Sequence, residues 1–150
     1  MIISIREMKP EDLDDIMEIE YSSFSSPWSR ESFISELNNQ MALYICLECD
    51  KKVVAYVGLW KIYDEGHITN VAVLPSYRGL GLSKLLLSSL FEACKENGIE
   101  RLTLEVRESN QIAINLYESL GFLSSGKRPK YYSNPIEDAI IMWKELNNEI

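Results

Sequence analysis

Histidine is nearly absent from this chain, with His67 the single copy in 150 residues, and cysteine is scarce, with only Cys46, Cys49 and Cys94. That leaves too few soft ligands for an ordinary zinc site, so no metal is expected. Cys46 and Cys49 form a C-x-x-C, a spacing that can serve redox or metal chemistry. No second pair follows, however, and both lie in the extended apolar stretch ALYICLECD, so buried or edge thiols are the better reading. Positive charge is also short: 15 Lys and Arg stand against 23 Asp and Glu, giving a net charge of -8 and a pI near 4.7. A chain so acidic lacks the basic face that displaces counterions from nucleic acid, and it suits a basic protein partner better. The small cluster Lys127, Arg128 and Lys130 reads as a solvated loop. No apolar run approaches the roughly 18 residues of a membrane span. The opening MIISIREMKPEDLDD turns acidic too soon for a secretory signal, so a cytoplasmic location is expected. No repeat, low-complexity tract or Pro/Gly/Ser-rich linker divides the chain, and one domain over residues 1–150 is the expectation.

What is present is strong periodicity. A strand in IISIREM leads to Pro10 at the start of a helix with Leu13, Ile16, Met17 and Glu20 along one face. The stretch from Ser22 to Ser29 breaks the pattern, and Ser29 can cap a second helix burying Phe33, Ile34 and Leu37. Residues 41–48 and 52–60, joined by Asp50 and Lys51, read as a hairpin, followed by a strand from His67 to Val73. After Pro75 the period changes to that of a helix carrying Leu82, Leu85, Leu86, Leu90, Ala93 and Cys94 and stopping near Gly98. RLTLEVR at 101–107 alternates, with Leu102, Leu104 and Val106 facing one way and Thr103, Glu105 and Arg107 the other. A helix from Gln111 to Leu120 ends at Gly121, and two strands, near Phe122–Lys127 and Asp138–Lys144, complete the chain. This order describes an α/β or α+β sheet with helices on both faces.

The segment VAVLPSYRGLGLSKLLLSSL runs from a strand through a glycine turn into an amphipathic helix. Bare N–H groups and the positive dipole end at such a helix start suit a pyrophosphate. Arg78 and Lys84 flank it, and Gly79 and Gly81 would let phosphate oxygens reach the backbone. An ordinary glycine turn before a helix explains the same residues. A dinucleotide fingerprint is excluded because Lys84 stands where a third Gly is needed, and a P-loop because the glycine spacing is wrong and Leu85 follows the Lys.

The loop Arg78, Gly79, Leu80, Gly81, Leu82, Ser83 resembles the coenzyme A loop of the GCN5-related N-acetyltransferase superfamily, Arg/Gln-x-x-Gly-x-Gly/Ala, departing from it at Ser83. A second segment, ESNQIAINLYESLGF, is similar to that superfamily's other hallmark at Asn110, Ala113, Leu116, Tyr117, Gly121 and Phe122. The resemblance covers essentially the whole chain and implies a mixed, strongly twisted sheet of about seven strands with about four helices. Within the superfamily, SPWS, LEVRESN and YYSNPIEDAIIM resemble the ribosomal protein alanine N-acetyltransferases. That implies acetyl-coenzyme A as co-substrate and a protein N-terminus, that of a small ribosomal-subunit protein, as acceptor.

The resemblance assigns Glu105 as proton acceptor and Tyr117 as proton donor to the departing sulfur. Chemistry is compatible with both. An α-amine titrates near 7.7–8.0, far below the roughly 10.4 of lysine, so a modest base is sufficient, and a phenol near 10 is protonated at working pH. Each also has a plain structural reading: Glu105 as a strand carboxylate paired with Arg107, and Tyr117 as part of an apolar helix face. Asn110 is either a cofactor ligand or a helix cap. The resemblance further places the backbone of Val71, Ala72 and Val73 against the pantetheine arm, where the sheet would splay. Pro27, Trp28, Tyr131 and Tyr132 become walls of a peptide groove. A small-amine acetyltransferase and a non-catalytic coenzyme A sensor remain the competing readings.

Overall fold

The hairpin formed by the second and third strands of the sheet shows how local chemistry sets the register. Asp50 and Lys51 both adopt left-handed backbone (φ 51° and 74°), the geometry that lets a two-residue turn follow the twist of its strands. The turn joins β2 (Ala42–Cys49) to β3 (Lys52–Ile62). The computed structural model describes residues 1–146. Before the hairpin come β1 (Ile3–Glu7), a single 3-10 turn at Pro10–Asp12, α1 (Leu13–Ser23) and α2 (Arg30–Leu37). After it come β4 (Glu65–Val73), α3 (Leu82–Glu96), β5 (Arg101–Arg107), α4 (Gln111–Ser119), β6 (Leu123–Tyr132) and β7 (Glu137–Glu145).

The strands form one mixed sheet in the order β1-β2-β3-β4-β5-β7-β6. Every neighbouring pair is antiparallel except β4 and β5. This parallel pair requires a crossover, which α3 provides. Two helices end in the same way. Gly98 (φ 75°) follows α3 and the Ile99 N–H returns to the Cys94 carbonyl, while Gly121 (φ 96°) follows α4 and the Phe122 N–H returns to the Tyr117 carbonyl. Both are Schellman closures, the geometry a terminal glycine permits. At their other ends, Ser29 accepts from the Ser32 N–H and Asn110 from the Ala113 N–H.

Helices cover both faces of the sheet. Phe33 of α2 meets Tyr44 and Tyr56 edge-on, with ring centroids 6.3 and 5.7 Å away, and packs against Trp28 at 5.4 Å. The opposite face carries Leu86, Leu87 and Leu90 of α3 over Leu59 and Leu102, all fully buried. Gly58 exists for one close approach: a Cβ there would lie 2.1 Å from the Tyr44 ring.

The periodicity reading needs three corrections. Ile34 and Leu85, both placed on buried helix faces, are each 44% exposed. A helical stripe is wider than the surface a short helix covers, and these two residues fall at its margin. Lys127, Arg128 and Lys130 are not a loop, because β6 continues through them to Tyr132. As an edge strand exposed along nearly its whole length, β6 carries charge without the apolar alternation that reveals a half-buried strand. Cys46, Cys49 and Cys94 are free and buried, and burial pushes the Cys46 and Cys94 thiols up to about 12.

Candidate active site

The sheet opens where β4 leaves β5. The two strands pair only at Glu65–Arg101, Gly66–Leu102 and His67–Thr103. Beyond that point β4 keeps β3 as its partner and β5 keeps β7. The wedge between them is bordered by two cavities of about 590 and 540 Å³, which share Ser23, Phe24, Val71, Asn110, Ala113 and Tyr117 and so meet.

The smaller cavity lies under the glycine turn. Val71, Ala72, Val73, Arg78, Gly79, Gly81, Leu82, Ser83 and Lys84 all border it, whereas Leu80 does not and is exposed. Gly79 and Gly81 have φ of 80° and 77°, and a Cβ on either would meet no atom within 4 Å. The turn therefore exposes backbone to open space at the start of α3, where Gly81 is the N-cap and no side chain caps the helix. Arg78 is exposed but tied down: its guanidinium donates to the Val73 carbonyl and to the Ser23 hydroxyl, each at 3.0 Å.

The larger cavity holds the acid–base candidate. Glu105 has a side chain only 7% exposed, and its Oε1 lies 2.7 Å from Nε2 of His67. Tyr131 donates to the same oxygen at 3.4 Å, and Arg128 stands 3.7 Å from Oε2. The His67 hydrogen bond above all, helped by Arg128 and Tyr131, holds the Glu105 carboxyl below its ordinary value despite burial. Arg107, the alternative partner, instead reaches Glu137 at 3.2 Å and stacks 4.4 Å over the Tyr132 ring. Strand alternation alone could not choose between these arrangements. His67 and Arg128 are the contacts the sequence reading missed; a polar residue on β4 with the same parity as Thr69 was the available signal.

Tyr117 borders both cavities, with its ring against Phe122 at 5.7 Å. Burial pushes its phenol up to about 12, so it stays protonated at any working pH. Asn110 caps α4, its Oδ1 accepting the Ala113 N–H, and it also borders both cavities. Trp28, Tyr131 and Tyr132 line the larger cavity and Pro27 does not. The turn that holds Trp28 is anchored by Glu20, a carboxylate at 1% exposure that accepts the Trp28 N–H at 2.8 Å and the Tyr56 hydroxyl. Among the described residues, no helix is long and apolar enough to cross a membrane.

A sheet opened beside a bare helix start, with a buried carboxylate across the gap, suits group transfer from a phosphate-bearing carrier. The chain belongs to the acetyltransferase (GNAT) family, whose model matches residues 13–122. It is an acetyl-coenzyme A-dependent N-acetyltransferase. It is 45% identical over 145 residues, 96% of each chain, to a Bacillus subtilis (strain 168) protein that provisionally carries the name ribosomal protein bS18-alanine N-acetyltransferase. The crystal structure of the Escherichia coli ribosomal-protein-S18-alanine N-acetyltransferase is 34% identical and superposes with a TM-score of 0.90, covering 99% of both chains. A Thermoplasma acidophilum N-acetyltransferase solved in complex with coenzyme A shares the fold at 21% identity, with a TM-score of 0.84 and coverage of 97% of this chain and 99% of that one. The open glycine turn and the uncapped α3 start fit the diphosphate of that carrier.

Proposed function

We propose that this enzyme transfers acetyl from acetyl-coenzyme A to a protein α-amino group, and that its acceptor is the N-terminal alanine of ribosomal protein bS18, as named for its relatives. The observation that carries the reading is the meeting of the two cavities at Tyr117, with the diphosphate cradle in one and Glu105 in the other. Backbone amides of the turn from Gly79 to Lys84 hold the diphosphate. The edge of β4 at Val71 and Ala72, unpaired on its β5 side, takes the amides of the pantetheine arm as an added strand would, while the Val73 carbonyl is already engaged by Arg78. When bound, acetyl-coenzyme A supplies an activated acetyl group and a sulfur leaving group.

Glu105 takes a proton from the acceptor amine, directly or through one water. A carboxyl held below its ordinary value is a weak base. It matches an α-amine near 8, of which roughly a tenth is already neutral at pH 7, far better than a lysine near 10.4. Tyr117 faces the departing sulfur and donates its hydroxyl hydrogen to the charge that develops there. Trp28, Tyr131 and Tyr132 form the walls around the incoming peptide, and Glu20 holds the Trp28 turn in place.

Incubation with labelled acetyl-coenzyme A and two acceptor sets tests the assignment. Alanine-initiated peptides of the ribosomal protein should be modified at the α-amine. Transfer confined to polyamines or aminoglycosides would overturn it.

A further inference from the structure

His67 sits on β4 at the last registered pair before that strand leaves β5, opposite Thr103. Glu105 lies two residues further along β5, on the same face as Thr103, so the side chain of His67 leans across the mouth of the wedge to reach it. We propose that His67 is the positioning residue for Glu105: it donates its Nε2 hydrogen to Oε1, fixes the rotation of the carboxylate, and leaves Oε2, which only the longer 3.7 Å contact of Arg128 approaches, as the oxygen that meets the acceptor's proton. This rests on the reading of Glu105 as the proton acceptor.

The chemistry of the pair dictates the direction of the bond. An ionised carboxylate can only accept, so the contact at 2.7 Å requires the hydrogen on Nε2. His67 is also the partner best able to impose an orientation. Its strand is paired on both sides at this position, to Trp60 and to Thr103. The other two contacts come from β6, an edge strand, and are longer, at 3.4 Å from Tyr131 and 3.7 Å from Arg128. Without His67, Arg128 is the charge that remains beside the carboxylate, and it draws Glu105 toward β6 and away from the acceptor. A base held on a rigid element by one short hydrogen bond keeps its reactive oxygen in line, and misplacement of about 1 Å can lower the rate by roughly 100-fold.

The test uses the full chain without a histidine tag. His67→Leu should lower kcat roughly 10- to 100-fold with the KM for acetyl-coenzyme A and the melting temperature unchanged. His67→Gln, which restores an N–H donor, should recover most of that loss. Because the chain has one histidine, 15N NMR reads its ring directly: the Nε2-protonated tautomer is expected, and Glu105→Gln should shift its signal. Wild-type kcat in His67→Leu, no recovery in His67→Gln, or a ring with no hydrogen on Nε2 would overturn the proposal. If Glu105→Gln itself keeps full turnover while the His67 signal still responds, the proton-acceptor reading has failed and the contact remains. If Glu105→Gln is inactive and His67→Leu is not, only the positioning role has failed.

Discussion

Arg78 ties the glycine turn to the end of α1, its Nη2 donating to the Ser23 hydroxyl at 3.0 Å. Ser23 borders both cavities, and the residues after it form one side of the larger one, so the glycine turn and that cavity wall are joined. The glycine-turn sequence suggested Arg78 as a flanking charge for a pyrophosphate; in the structure its guanidinium donates to the Val73 carbonyl and the Ser23 hydroxyl. Ser23→Ala removes one hydrogen bond of about 0.5–1.5 kcal/mol and should raise the KM for the acceptor peptide roughly 2- to 10-fold. The affinity for coenzyme A, measured by calorimetry, should stay within about twofold. An unchanged acceptor KM would mean that the tie does not position the wall.

Tyr117→Phe separates chemistry from packing. Its ring fills space beside Phe122, and phenylalanine keeps that contact, so the melting temperature should hold. What disappears is a hydroxyl that burial keeps protonated, and kcat should fall by roughly 100-fold, as expected for loss of a positioned proton donor. Initial rates at saturating acetyl-coenzyme A check this. Normal turnover would return Tyr117 to a purely structural role.

The sequence made the elements legible because each announced itself locally. Ser29 and Asn110 cap helices, Gly98 and Gly121 end them, and RLTLEVR alternates without a fault, with Leu102, Leu104 and Val106 buried. The glycine turn was legible for the same reason, since its geometry depends on consecutive residues. Contacts between distant strands were not. His67 reaches Glu105 across 38 positions and Arg128 reaches it from an edge strand that carries no periodicity. Nor could spacing foresee that Glu20, on the apolar face of α1, accepts the Trp28 N–H and holds that wall of the larger cavity. Side-chain partners across a sheet depend on register and on where strands part, and neither is written in any single segment.

Gly81→Ala tests the cradle. With φ at 77°, an alanine costs about 1–2 kcal/mol of backbone strain even though its Cβ would meet nothing within 4 Å in the free enzyme. Stability should therefore drop only slightly. The methyl would, however, project into the space that phosphate oxygens need to approach the backbone, so the rise in melting temperature that coenzyme A gives the parent should largely vanish. A full ligand-induced shift in this variant, read by differential scanning fluorimetry, would place the diphosphate elsewhere.

The last expectation concerns acid stability and a pair far from the site. Arg6 of β1 holds Asp12 through two hydrogen bonds of 2.8 Å, and Asp12 also accepts the Lys9 N–H at 2.7 Å, pinning the entry to α1. The Arg6 bonds, followed by that of Lys9, lower the Asp12 carboxyl below its ordinary value against the opposing effect of burial. The folded state therefore binds this proton less readily than the unfolded chain, whose aspartates titrate near 3.9. The stabilisation is complete above that unfolded value and is lost as pH falls through the lower folded one. Asp12→Asn should cost about 1–3 kcal/mol at pH 7, because charge-assisted hydrogen bonds are lost while Arg6, partly exposed, keeps Glu48 as its partner. Urea unfolding at pH 7, 4.5 and 3 should show the gap between parent and variant narrowing with acid, since the amide mimics the protonated acid. A gap that stays constant to pH 3 would show that Asp12 acts through its hydrogen bond to Lys9 and its packing, with no contribution from charge.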